Sequence, residues 1–521
     1  MAHILPTSLA LTLGLCASVL HADWPQWRGP ARDGVSSDTT PIEGKLPAGG
    51  LRKVWESEFI PSDHYGGHGS PVVSANQVIL SVVWHERVES PQREIDSEVM
   101  QQLNYRGTTP ELRAKLEQTR ANLPKLRGAK FDEWILQWRK DNLTPKEDVS
   151  LGKWVESRFK AGATALPLEE LAKVAARENK PFESPQALQA WMEAEKFSAP
   201  VREKLVSAIP NTIKQASDVV LCLRADDGKT QWRFKAPGKP SGRSSSSTAA
   251  VLDGRIYAAL STHLYCLKQE DGSLIWKAPL PSAGPAASPL VVENKVILSA
   301  GQLCAWDAAT GRLLWQQAKA RGNTGSPTWW QPKPDQGLLV AVGSSQLYGI
   351  KPDNGEILWE IPGGGQSSPV AQDQWLVTYS GTQDVGLRAY QWQDKGAPKA
   401  AWSHFWVTMR YSGSPILHEG HVYLMCGGKH QCVELQSGKV RWLENEVQST
   451  ITSPLLADGK LMVYENNGSH LRMVSAKPEG YELLGRGKIE AMGCTSPALS
   501  NGRLMVRQRD KLVCFDLRPQ Q

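Results

Sequence analysis

Along most of the chain, short apolar runs alternate with tight polar turns. This is the pattern of brief antiparallel strands, not of helices. The alternation is periodic. One mark is Ser-Pro followed by a β run, at Ser70-Pro71, Ser288-Pro289, Ser326-Pro327, Ser368-Pro369, Ser414-Pro415, Ser453-Pro454 and Ser496-Pro497, with Thr248-Ala249 in the same register. The other is an apolar strand, a turn holding Gly, and a strand carrying Trp. Its copies end at Trp232, Trp276, Trp315, Trp359 and Trp442, with a looser one at Trp402 and Leu483 in the seventh. Successive Trp residues lie 39 to 44 positions apart. Self-similarity at this period marks a repeat architecture.

Each unit reads as four strands. In the third, PLVVENKVILSA predicts strands A and B around Glu-Asn-Lys, and LCAWDAATGRLLWQQ predicts C and D around Thr-Gly. A four-stranded sheet cannot bury both faces alone, so neighbours must stack, and a closed ring protects every edge. The recurring Trp is then expected between blades, which accounts for many of the 20 Trp. The eighth unit starts at Pro497 and ends at Leu517, after strand C. Its missing strand D is expected from LRKVWESEF near the other terminus, with Trp55 beside the segment around Val513. The expected fold is all-β: an eight-bladed β-propeller of four-stranded antiparallel blades, with an α-helical insertion in the first blade.

Ala305-Trp306-Asp307-Ala308-Ala309-Thr310-Gly311 through Trp315 resembles the docking motif of the PQQ-like (quinoprotein-type) β-propeller repeat family, A-x-D-x-x-T-G-x-x-x-W. The resemblance covers about residues 51–84 and 217–517. Trp24-Pro-Gln-Trp-Arg-Gly-Pro-Ala-Arg-Asp-Gly34 also looks like a signature of exported bacterial members of that family. The resemblance implies the propeller. It leaves the activity open between calcium–PQQ dehydrogenases and non-catalytic scaffolds of the BamB type.

Residues 85–216 break the repeat. Thr109-Pro110, Thr144-Pro145 and Ser184-Pro185 place a capping residue before Pro at the first helical position. Thr144 with Glu147 forms a capping-box pattern. FDEWILQWRK and LEELAKVAAREN have helical spacing, and five or six helices are expected. As a B–C loop, the insertion is expected on the face where the residues preceding each Ser-Pro converge. It is either a surface decoration or a lid or docking platform.

Residues 1–22 read as a signal peptide, with an apolar stretch from Ser8 to Leu20 and cleavage near Ala22. The first segment lacks Lys and Arg, so an uncleaved anchor stays open, as does a lipid anchor on Cys16. Residues 23–50 form an N-terminal segment ahead of the first blade strand. A periplasmic or secreted, monomeric protein is expected, with no transmembrane span in the mature chain. The net charge of +6 comes without a block of Lys and Arg, so there is no footprint for nucleic acid. Cys222, Cys266, Cys304 and Cys514 share one repeat context, which predicts buried apolar positions and not disulfide partners. A Cys426–Cys432 bridge is left open.

The loops before each Ser-Pro converge on the channel mouth. The six residues preceding each of the eight starts include no Asp or Glu. They supply His68, Arg243, Arg321, Gln366, Arg410 and Tyr411, with His64 just outside. These seven residues are the candidate ligand site, electropositive and suited to a small anionic or polyhydroxylated ligand. No catalytic residue and no metal site is assigned. A calcium–PQQ centre needs carboxylates as metal ligands and base, which these loops lack, and no two Cys are adjacent. His430 near Cys426 and Cys432, and His418 with His421, are more simply read as structural or turn residues than as metal ligands. The expected role is a non-catalytic binding or scaffold propeller of the cell envelope, its partner an envelope protein or the small ligand. The alternatives are a PQQ-dependent alcohol or sugar dehydrogenase and a carbohydrate-binding or carbohydrate-active propeller, the last motivated by Trp-rich loops such as Trp329-Trp330.

Overall fold

The structure, a computed structural model, describes residues 23–62, 66–239, 245–322, 324–380, 385–405, 413–445 and 452–520. The chain divides into two compact units, Met1–His85 with Ala216–Gln521, and Glu86–Gln215. The first is the propeller. It holds eight four-stranded sheets whose strand pairs, among the described residues, are antiparallel, the third blade being Leu290–Val292, Lys295–Ser299, Leu303–Asp307 and Leu313–Gln317. Its A–B hairpin turns on Glu293 and Asn294, both at positive φ (47° and 58°). Such a two-residue turn matches the twist of the strands it joins. In the eighth blade the outer strand comes from the N-terminal side. Arg52–Glu56 pairs with Leu512–Asp516, placing Trp55 opposite Cys514 and Glu56 opposite Val513.

The recurring Trp acts between blades. Except for Trp359, whose N–H has no partner among the described residues, each of these indoles lies on the C–D turn of the next blade and donates its N–H to a backbone carbonyl there. Trp55 reaches Ala225 at 2.8 Å, Trp232 reaches Gln269 at 3.0 Å, Trp276 reaches Ala308 at 3.1 Å and Trp315 reaches Pro352 at 2.9 Å. Trp402 and Trp442 repeat the bond on Leu435 and Lys477. The ring packs on the turn glycine so closely that a Cβ on Gly311 would stand 2.5 Å from Cε3 of Trp276. The Gly and the Trp of the repeat are therefore two halves of one contact, made between neighbouring blades.

Cys222, Cys266, Cys304 and Cys514 are buried and free. Burial pushes each thiol up to about 12, so they behave as small apolar residues. Cys426 and Cys432 do not bridge. Cys426 stands opposite Lys429 and Cys432 opposite Tyr423, so the register keeps them apart.

The second unit has seven α-helices, Ser97–Gln102, Pro110–Ala121, Ala129–Asn142, Pro145–Ala161, Leu168–Ala175, Pro185–Ala194 and Ala199–Ala208, more than the five or six expected. The first is only six residues long and is started by the Asp96 side chain, without Pro, which hid it in the sequence. The Thr144–Glu147 capping box forms, and Thr109 and Ser184 cap their helices. The core gathers Leu116, Ile135, Val155, Phe159, Leu171, Val174, Val201 and Leu205. Among the described residues no helix is long and apolar enough to cross a membrane.

Candidate functional site

The Ser of each Ser-Pro start belongs to a ring of hydroxyls. The backbone N–H of Ser70 donates to Oγ1 of Thr248 at 2.9 Å, Thr248 to Ser288 at 3.0 Å, Ser288 to Ser326 at 2.9 Å and Ser326 to Ser368 at 2.8 Å. Ser368 continues to Ser414, Ser414 to Ser453, and Ser496 returns to Ser70. These seven donors each pass to the next blade in the same rotational sense. Only a short side-chain oxygen beside its own backbone N–H makes this chain, so Ser and Thr recur and Pro follows where no further N–H is needed.

Inside the ring lies the N-terminal segment. An innermost strand has an unpaired edge that must be covered. Trp24 exchanges both backbone hydrogen bonds with Val73 of the first blade, at 2.8 and 2.9 Å, and the Pro25 carbonyl accepts from Val251 of the second. Gly34 and Ser36 bond Leu456 of the seventh blade, each at 2.8 Å, and Asp38 Oδ2 accepts from Gly502 of the eighth. Two arginines reach the third, fourth and sixth blades. Arg32 donates to the carbonyls of Pro289 at 2.7 Å, Ser288 at 3.2 Å and Pro327 at 3.3 Å. Arg28 donates to the carbonyls of Asp33, at 2.6 Å, and Pro415. Their side chains are buried, with residue exposures of 2% and 4% for Arg28 and Arg32. Burial brings Arg28 down to about 10, and burial with repulsion from Arg28 brings Arg32 to about 9. Both stay charged at neutral pH. The hub of the propeller is thus occupied by the chain itself. The sequence showed Trp24 to Gly34 as a signature, and missed that it joins the inner strands.

Three of the seven mouth residues are described, His68, Arg321 and Gln366. His68 is buried; its ring Nδ1 meets the Gly493 carbonyl and its backbone N–H donates to Ser246 Oγ at 3.0 Å. The loop around it is tightly packed, because a Cβ on Gly67 (φ +85°) would lie 1.6 Å from the Ser245 carbonyl oxygen. Arg321 is exposed and folds back to donate from Nε to Ala318 O at 3.1 Å. Gln366 is exposed. These three make no hydrogen bond to one another among the described residues. His64, Arg243, Arg410 and Tyr411 lie outside the described residues.

Two carboxylates are deeply buried nearby in the repeat. Asp218 accepts from the Ser261 backbone at 3.0 Å, from Ser261 Oγ at 2.5 Å and from Tyr265 OH at 3.0 Å. Burial raises its pKa against those hydrogen bonds. Glu465 is pinned by Arg472 Nε at 2.5 Å and by Arg486, and Arg472 also holds Tyr481 OH at 2.8 Å. His430 packs against Tyr481, fully buried, with both ring nitrogens unpartnered. Burial, with the Arg472 charge, pushes it down to about 3. Calcium wants six to eight oxygen ligands. Both carboxylates are already saturated, and among the described residues no three His, Cys, Asp or Glu side chains group to hold a metal. The described donors do not fit a calcium–quinone centre.

The family described as "Outer membrane protein assembly factor BamB" matches residues 216–372 and, in an overlapping register, 324–518. The chain belongs to this family. The BamB family match covers the last two strands of the first blade, the six blades that follow and the three C-terminal strands of the eighth. Tetrathionate hydrolase of Acidithiobacillus ferrooxidans is 28% identical over 178 residues, covering 28% of this chain and 34% of the hydrolase. The chain therefore spans about a third of that relative's length. Among solved structures, BamB from Moraxella catarrhalis has 15% identity and a TM-score of 0.47, covering 59% of this chain and 92% of its own. A europium-containing methanol dehydrogenase has 13% identity and a TM-score of 0.41, covering 56% of this chain and 80% of its own.

Proposed function

We propose that the chain is a non-catalytic binding or scaffold propeller of the bacterial cell envelope, exported and working through its surfaces. The observation that carries this reading is the occupied hub. A propeller whose axis is filled by residues 24–35, with Arg28 and Arg32 capping the carbonyls of its inner strands, offers faces and edges instead of an axial cavity. Membership of the BamB family supports the same direction, as that family's description is of outer-membrane protein assembly. The mouth residues His64, Arg243, Arg321, Gln366, Arg410 and Tyr411 and the helical unit are the proposed contact surfaces, for an envelope protein or a small anionic or polyhydroxylated ligand, while buried His68 holds its loop in place.

Photo-crosslinking of the full-length chain in its own envelope tests this, with the crosslinker placed at the exposed Gln366. An adduct with one envelope protein, lost when Arg243, Arg321 and Arg410 are together changed to Ala, is the expected result. Dye-linked dehydrogenase turnover after addition of PQQ and Ca²⁺, together with the absorbance of bound quinone, would overturn it.

A further inference from the structure

The helical unit carries a cleft of about 590 Å³, within the usual size of a small-molecule site. Buried Leu103 and Arg158 and half-buried Leu166 line its inner part, and exposed Glu203, Lys204 and Ser207 its outer part.

Arg158 is fixed in place. Its side chain is 3% exposed. Nη2 donates to Glu117 Oε1 at 2.9 Å and to the Leu166 carbonyl at 2.7 Å, and the guanidinium lies over the Trp154 ring, 5.5 Å from its centroid. Nε and Nη1 have no hydrogen-bond partner among the described residues. Arg158 is one of the residues that line the cleft.

The charge around it is unbalanced. Glu117 serves Arg120 at 2.7 Å as well as Arg158, so one carboxylate faces two guanidiniums. At the outer part Lys204 and Glu203 cancel. The surplus is one positive charge, on a preorganised guanidinium with free donors beside aliphatic carbon. Arginine in that state favours a carboxylate over a neutral group.

We propose that this cleft binds a small monocarboxylate with a short aliphatic chain, its carboxylate on Arg158 and its chain against Leu103 and Leu166. The carboxylate belongs either to a free organic acid or to the end of a peptide. The inference goes beyond the scaffold reading and does not rest on it.

The test uses the intact protein, with hexanoate and N-acetyl-leucine as probes and hexanol and N-acetylleucinamide as neutral controls, read by titration calorimetry and ligand-observed NMR. At least one carboxylate is expected to bind ten times more tightly than its neutral partner. Hexanoate alone identifies the free acid, and N-acetyl-leucine alone the chain end. Ser207→Trp, an exposed position that leaves the Glu117 ion pair intact, is expected to lower affinity at least tenfold with unchanged circular dichroism; Arg158→Met is expected to abolish binding. Equal binding of acids and neutral controls, no binding of either acid, or full affinity in Ser207→Trp overturns the proposal. None of those outcomes touches the envelope crosslinking result.

Discussion

Gly311 and Gly254 separate backbone strain from blade docking. Both are left-handed, at φ +73° and +70°. A methyl group at either costs about 1–2 kcal/mol for that conformation alone. At Gly254 the added Cβ meets nothing within 4 Å. At Gly311 it meets Trp276 Cε3 at 2.5 Å and Cδ2 at 2.6 Å. The indole must retreat by about 1 Å to reach ordinary contact, which also loosens its hydrogen bond to Ala308. Overpacking of this kind adds about 1–3 kcal/mol, and the weakened hydrogen bond about 1 kcal/mol. Gly311→Ala is therefore expected to lose about 3–6 kcal/mol, against about 1–2 kcal/mol for Gly254→Ala. Urea unfolding followed by tryptophan fluorescence gives the comparison. A double-mutant cycle with Trp276→Ala completes it, because without the indole the Gly311→Ala cost should fall to the strain alone. Equal losses in the two Ala variants, or a Gly311 penalty that persists without Trp276, would refute the docking account.

Other consequences follow from the hub and the buried charges. Ser288→Ala leaves the buried Thr248 N–H without an acceptor and should cost about 1–3 kcal/mol, with most of it regained in Ser288→Thr; thermal unfolding of the pair measures this. Arg32→Met strips partners from the Pro289 and Pro327 carbonyls and should lower the urea midpoint, and Arg32→Lys should not restore it, since an ammonium cannot fork to both. His430 is neutral in the fold, with its pKa depressed from 6.5 to about 3. The unfolded chain takes up the proton first, so stability is complete above pH 6.5 and falls by about 1.4 kcal/mol per unit as pH drops toward 3. His430→Leu should flatten that part of the stability profile, and an unchanged slope would count against it. Arg472→Met leaves Glu465 buried with only the half-exposed Arg486 and should cost about 3–5 kcal/mol, read as a loss of folded protein on heating.

The architecture was readable because its contacts are made between repeats. Ser288 must meet Thr248 on one side and Ser326 on the other, and Trp276 must meet Gly311, so the same letters return in each unit. Contacts made once leave no such trace. Arg28 touches a carbonyl 387 positions away, and a backbone acceptor has no residue identity to display. The Asp96-started helix escaped notice because a single Asp before a short amphipathic stretch is also a turn signal. His68 shows the same limit at the mouth. Its loop is rich in Gly and free of acids, which describes an open ligand loop and a tightly folded one equally well, and only the Gly493 contact and the crowding at Gly67 tell them apart.

The occupied hub also orders the birth of the molecule. Residues 24 to 36 leave the ribosome early, yet Gly34 and Ser36 wait for Leu456, and Asp38 waits for Gly502. Until the last blades are made, a stretch bearing Trp24, Trp27 and two arginines has no finished berth. Such long-delayed pairings slow folding and expose sticky intermediates. For a chain made N-terminus first, residues 24 to 38 are where a chaperone would have the longest hold.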